Sequence, residues 1–171
     1  MRRFRLGFEN GARHTNPTVQ VLGVFQPPDS VNPFSDPVWG KARALEFLDQ
    51  GADIVFGCGG KTGNGALVAA AERNQMCIGV DVDQFFSFPQ VQSCLVTSAE
   101  KKVATAVRQV IEASVRGWPA NSLISFDATN GGVGIAPYHQ FEDRIPADVK
   151  ARIEMIKAQL ADGSLGTGYT P

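Results

Sequence analysis

Asp81 is the side chain whose type and position first suggest chemistry. It closes the apolar run Met76 to Val80, and it follows a segment with five glycines in nine residues, Gly57, Gly59, Gly60, Gly63 and Gly65. A carboxylate can accept from two vicinal hydroxyls at once, as the acidic residue of nucleotide-binding folds does on a ribose. Glycines between a strand and a helix let backbone N–H groups and a helix N-terminus face a polar ligand group. Neither of the two best-known glycine-loop motifs is present. A phosphate loop of the Walker type needs glycine where Val55 stands, and a dinucleotide fingerprint starting at Gly57 needs glycine where Thr62 stands. The plain alternative is a tight strand-to-helix turn followed by a solvated Asp81.

The elements that would position these residues form a βαβ unit over 51–83. Gly51 ends a helix, and Asp53-Ile54-Val55-Phe56 reads as a strand buried on both faces. An alanine-rich helix starts at about Gly65, and the second strand ends on Asp81. Upstream, 3–13 reads as an amphipathic helix, 18–25 as a strand and 26–34 as a proline-rich loop; Asp36-Pro37 then starts a helix by N-cap and first-turn proline. Downstream, 83–92 is irregular and 93–98 is a short strand. Thr97-Ser98-Ala99-Glu100 has the form of a capping box for a helix over 100–116. That helix carries the apolar stripe Val103, Val107, Val110, Ile111 and Val115. A strand over 122–128, a glycine-rich turn with a short strand over 130–137, a helix starting at Pro146 and a frayed tail after Ser164 complete the expectation.

Composition narrows the function classes. With 43% hydrophobic and 19% charged residues, the 171-residue chain can bury a core. A net charge of −1 and no basic cluster beyond Arg2, Arg3 and Arg5 give nucleic acid or an anionic membrane no footing. Cys58, Cys77 and Cys94 lie in or beside apolar strands and read as buried free thiols rather than a disulfide framework or metal set. His14 and His139 read as surface residues, without the spacing for metal or triad chemistry, and Trp39 and Trp118 as packing residues. No nucleophile–base pair is legible, so neither a catalytic residue nor a cofactor is expected.

Several segments taken together resemble the basic membrane protein family, the purine-nucleoside-binding lipoproteins of ABC importers. They are Phe34-Ser35-Asp36-Pro37 with Gly40-Lys41, Gly51-Ala52-Asp53, Gly59-Gly60 through Thr62-Gly63-Asn64-Gly65, Ile78 to Gln84, Thr97-Ser98 with Lys101, and Gly131 to Pro137. The resemblance runs from Arg3 to about Ser164. It implies an α/β doubly wound parallel sheet: a lobe of the type I periplasmic-binding fold, with a hinge strand and helix from an incomplete second lobe. On that reading 1–92 is the carboxyl-terminal-lobe core and 93–118 is the hinge strand and helix of the amino-terminal lobe. The segment 119–163 returns to the first lobe, and 164–171 is a tail. The chain then matches only the family's second half, a truncated form whose partners would be the missing lobe or a second copy, and importer membrane subunits.

The resemblance also implies a binding protein rather than an enzyme, with a purine nucleoside held between lobes. Asp81 would accept from the ribose, Gly59 and Gly60 would admit the ligand to the backbone, Lys101 would donate to a ribose oxygen or base acceptor, and Phe34 would stack on the purine. Against these stand a solvated Lys101 in a first helical turn and a Phe34 that plugs the core. Lys61 reads as a one-residue insertion that either crowds the ligand or replaces an interaction. The family's location is extracytoplasmic, at the periplasm or cell surface, whereas the residues from Met1 carry no apolar run that would read as an export signal. A glycine-loop nucleotide enzyme and a non-functional fragment are the competing readings.

Overall fold

A computed structural model describes residues 2–119 and 121–169. Its centre is a four-stranded sheet whose order follows the sequence: β1 (Ile54–Phe56), β2 (Met76–Asp81), β3 (Leu95–Lys101) and β4 (Val133–Ile135). The first two pairings are parallel and the last is antiparallel, so the sheet is mixed. Parallel neighbours require crossovers, and helix α3 (Gly60–Glu72) supplies the one between β1 and β2. The core lies where α3 meets the sheet. Leu67, Ala70, Cys77, Val91, Cys94 and Leu95 are buried there, with Val55, Phe85 and Phe88 packed around them.

Helix α1 (Arg2–Thr15) and helix α2 (Pro37–Asp49) form where the sequence pattern places them. Asp36 caps α2 by accepting from the Trp39 backbone N–H at 2.9 Å. The glycine-rich segment behaves differently from the expectation of an irregular loop. Helix α3 begins at Gly60, so Gly60, Gly63 and Gly65 lie inside its first turns. Close packing explains the cost in helix propensity. A Cβ on Gly65 would sit 2.0 Å from the Pro37 carbonyl oxygen, and one on Gly40 only 1.9 Å from that of Thr62. The backbones of α2 and α3 touch through these glycines, which no larger residue permits.

Downstream of β2, the segment read as irregular contains the short helix α4 (Gln84–Ser87), capped by Asp83, and a 3₁₀ turn at Pro89–Val91. The expected capping box at Thr97–Glu100 is not one: these residues continue β3 to Lys101, and helix α5 spans Val103–Val115. Tertiary partners take the groups a cap would have used. The Thr97 hydroxyl donates to the Ala136 carbonyl at 2.7 Å, and the Ser98 hydroxyl accepts from the Gln84 backbone N–H at 3.1 Å.

Three further expectations are corrected. The run 18–25 joins no strand, and Gln20 to Phe25 make no backbone–backbone hydrogen bond among the described residues. The segment 122–128 is not a strand either; it leads irregularly into a 3₁₀ turn at Ala128–Asn130, capped by Asp127. The tail after Ser164 is tied down through Tyr169. Asn10 donates to the Thr167 carbonyl at 2.7 Å, and the Arg3 guanidinium lies 4.7 Å over the Tyr169 ring. The last helix, α6 (Ala147–Asp162), ends at Gly163 with positive φ, as its pattern implies.

Candidate functional site

The carboxyl ends of parallel strands are where ligands sit in open α/β sheets, and the residues in question gather there. Phe56 pairs with Ile78 and Asp81 pairs with Glu100, so the β1–α3 turn and the ends of β2 and β3 share one edge. Lys101 is the last residue of β3, not a first-turn helical lysine, and its Nζ lies 2.6 Å from Asp81 Oδ1. The contact is an ion pair without the alignment of a hydrogen bond. Both side chains remain nearly half exposed, at 48% and 45%.

Asp81 is backbone-strained as well as charged. Its φ is +73°, in the left-handed region that residues with a Cβ seldom adopt. Such outliers persist only where the surroundings over-determine them, and they cluster at functional sites. Here the surroundings are a buried polar network. Gln84, 6% exposed, accepts from the Val80 N–H through Oε1 at 2.8 Å. It donates from Nε2 to Asn64 Oδ1 at 2.9 Å, which ties β2's end to α3. A Cβ on Gly79 would lie 2.6 Å from both Gln84 Oε1 and Ser98 Oγ, so glycine is what admits the Gln84 side chain.

The glycine loop does less for a ligand than its letters promise. Gly59 is buried, with φ +138°, whereas Gly60 is exposed, with φ +61°. A Cβ on Gly60 would come within 2.8 Å of the Phe34 carbonyl, so Gly60 serves the approach of Phe34's backbone. That carbonyl accepts from the Thr62 N–H at 3.4 Å, and the Thr62 hydroxyl bridges Asp36 N–H and the Pro33 carbonyl. The 33–36 loop thus already occupies part of the α3 N-terminus. The Phe34 ring is not a core plug: the residue is 53% exposed beside the glycine turn.

Several neighbours of the site carried no role in the sequence reading. Phe4 of α1 places its ring 5.1 Å from Lys101 Nζ, a cation–π contact. Burial, and then the Asp81 carboxylate, push the Cys58 thiol up to about 11. Gln84 and Asn64 stand in the quoted motifs, but only their packing reveals what they do. His139 is not a surface residue. It bonds Asp83 at 2.8 Å and stacks on Phe85 with ring centroids 4.1 Å apart. Cys77 and Cys94 are buried free thiols with Sγ atoms 3.0 Å apart, and that contact together with burial holds the Cys77 thiol well above its usual range. Among the described residues no cluster of His, Cys, Asp and Glu could hold a metal ion, and no helix is long and apolar enough to cross a membrane.

A carboxylate–lysine pair and a glycine turn thus share the carboxyl edge of the parallel strands, the edge at which open α/β sheets hold their ligands. Comparison with known proteins gives the family. A family model described as "ABC transporter substrate-binding protein PnrA-like" matches residues 1–161, and the chain belongs to that family of substrate-binding proteins. It is 27% identical to a "CD4+ T-cell-stimulating antigen" of Listeria monocytogenes, over 99% of this chain and 49% of the relative. It is 24% identical to an "ABC transporter nucleoside-binding protein BmpA" of Lactococcus lactis, over 95% of this chain and 48% of the relative. "Basic membrane protein B" of Borreliella afzelii is 27% identical over 81% of this chain. A solved ABC-transporter solute-binding protein of Aeropyrum pernix superposes with a TM-score of 0.74 at 24% identity, over 95% of this chain and 52% of that one. The chain spans about half the length of these full-length relatives.

Proposed function

We propose that this chain supplies one wall of the ligand site in the substrate-binding component of an ABC importer, and that the ligand is a purine nucleoside bound without turnover. The observation that carries the reading is the strained Asp81 paired with Lys101 at the carboxyl edge of the sheet. The pair offers an acceptor and a donor side by side, which suits vicinal hydroxyls. A phosphate suits the site less well. Asp81 would repel it, and the 33–36 loop takes up first-turn groups of α3 that an anion would need. Phe34, exposed beside the turn, offers its face to the base. The Lactococcus relative's name favours the same ligand class.

On this reading 1–92 and 119–163 form one lobe, 93–118 reaches toward a second, and the assembled protein works outside the cytoplasm with importer membrane subunits as partners. The test is calorimetric titration with adenosine and inosine, set against free adenine, ribose and ATP. Nucleosides should bind, and Asp81→Asn should weaken them by about 1.5–3 kcal/mol, the worth of a hydrogen bond to a charged group, while free adenine loses much less. Equal losses for adenine and adenosine, tighter binding of ATP, or nucleoside breakdown that stops in Asp81→Ala would refute the proposal.

A further inference from the structure

Two buried nucleophiles lie away from the Asp81 edge. Cys77 is the second residue of β2, toward the opposite end of that strand from Asp81, and Cys94 directly precedes β3. Their Sγ atoms are 3.0 Å apart, and the residues are 0% and 5% exposed. The Cys77 N–H donates to the Cys94 carbonyl at 2.8 Å, so the two main chains lie at ladder spacing, about 4.8 Å. A disulfide spans that separation without backbone movement. The Cys94 S–H donates to the Val91 carbonyl at 3.2 Å, but this carbonyl also accepts from the Cys94 N–H at 3.1 Å. Loss of both S–H groups therefore leaves the Val91 carbonyl satisfied. The two thiols are not equivalent. Cys94 follows exposed Ser93 in the chain, whereas Cys77 is wholly enclosed. The hydrogen bond between them holds the Cys94 thiol below its usual range, and that bond, then burial, holds Cys77 above it. Cys94 is thus the nucleophile of the pair and Cys77 the resolving thiol. Cys58 is out of reach: it lies three residues past Val55, the β1 partner of Cys77, about 10 Å along the strand direction.

We propose that Cys77 and Cys94 are an oxidisable dithiol, which a hydroperoxide closes into a disulfide that pins the 84–94 segment to β2. The Cys94 thiolate attacks one oxygen of the hydroperoxide. The O–O bond breaks, the far oxygen leaves with the proton that Cys94 gave up, and Cys94 becomes a sulfenic acid. The Cys77 sulfur then attacks the Cys94 sulfur. The S–S bond forms as the S–O bond breaks, and the hydroxide leaves with the Cys77 proton as water. Two thiols and one molecule of hydrogen peroxide thus give one disulfide and two waters, the two electrons lost by sulfur passing to oxygen. The cysteines stand 17 positions apart, and the chain between them carries Asp81, Asp83 and Gln84. Closing that ring removes freedom from the unfolded chain, so the oxidised protein should melt roughly 5–10 °C above the reduced one. Outside the cytoplasm, where the proposed function puts the assembled protein, such a bond persists. The inference rests on the two thiols and does not depend on what binds at Asp81.

The test treats the full folded chain, reduced and freed of reductant, with excess hydrogen peroxide. Free thiols should fall from three to one per chain, leaving Cys58. No Lys or Arg lies between the two cysteines, so chymotryptic cleavage among Phe85, Phe86 and Phe88 is used to separate them. The digest should give a peptide holding Cys77 bonded to one holding Cys94, and added reductant should return the melting midpoint to its starting value. In Cys77→Ala a sulfenic-acid trap should label Cys94; label on Cys77 in Cys94→Ala would overturn the assigned order of attack. The proposal itself is overturned if the folded chain keeps all three thiols, or if the pair closes only after unfolding in urea. A bond that includes Cys58 or joins two chains would overturn it, as would an oxidised chain that melts no higher than the reduced one. These readouts use the parent chain, so they stand even where a variant folds poorly.

Discussion

Asp81 combines the carboxylate proposed to hold the ligand with a backbone conformation that favours glycine, so its replacements should separate stability from binding. In Asp81→Ala the Lys101 ion pair is lost, worth about 0–1 kcal/mol for groups this exposed. Alanine also lacks the short polar side chain that makes the left-handed region tolerable, where a Cβ costs about 1–2 kcal/mol. Asp81→Gly loses the same ion pair but sheds that penalty, against about 0.4–1 kcal/mol of added unfolded-chain freedom. The glycine variant should therefore unfold roughly 1 kcal/mol later than the alanine variant, about 2–4 °C in a chain of this size. It should sit close to the parent, and Asp81→Asn should as well, because asparagine tolerates this region. All three should lose nucleoside affinity. Urea and thermal unfolding, run beside titration with adenosine, read both axes. An alanine variant as stable as the glycine variant would refute the strain argument, and undiminished binding in Asp81→Gly would remove Asp81 from the site.

Three further outcomes follow from the same structure. Helix propensity alone favours Gly65→Ala by about 1 kcal/mol, yet the 2.0 Å approach to the Pro37 carbonyl should reverse the sign and cost about 1–3 kcal/mol or more in urea unfolding. Cys58 alkylation by iodoacetamide should rise with an inflection near about 11 rather than at the usual thiol value of 9.0. The raised folded-state value means that its contribution to stability is complete below 9.0 and is lost as pH climbs toward about 11; an inflection near the usual value would show that Cys58 is neither buried nor beside Asp81. On α5 no residue is buried, and Val103, Val107, Val110, Ile111 and Val115 are 39% to 83% exposed. At about 1.5–3 kcal/mol for each full burial, with roughly half of that surface still in water, the stripe forfeits about 4–8 kcal/mol. The chain should self-associate in light scattering, and Val107→Lys with Ile111→Lys should abolish this without lowering the unfolding midpoint; a parent that scatters as a monodisperse monomer would contradict it.

The sequence by itself determined the βαβ unit, the start of α2 and the position of Asp81 at a strand end. Each rests on short-range chemistry: apolar runs of strand length, an Asp-Pro helix start, and a helix stop at Gly51. It also pointed to the family through motifs such as Ile78 to Gln84, and the family model over residues 1–161 agrees. Only the tertiary structure decided what the ambiguous segments became. Thr97-Ser98-Ala99-Glu100 satisfies both a capping box and a strand. Pairing with β4 and the bond from the Gln84 N–H to the Ser98 hydroxyl select the strand, and that choice sets Lys101 beside Asp81. Glycines that read as a loop became a helix, because the backbones of Phe34, Gly57 and Pro37 pack against the bare faces of Gly60, Gly63 and Gly65. The strand pattern of 18–25 remained unpaired, since a ladder needs a neighbour and no local pattern supplies one. Local rules state what a segment is able to form; long-range contacts between residues far apart in the chain choose among those forms.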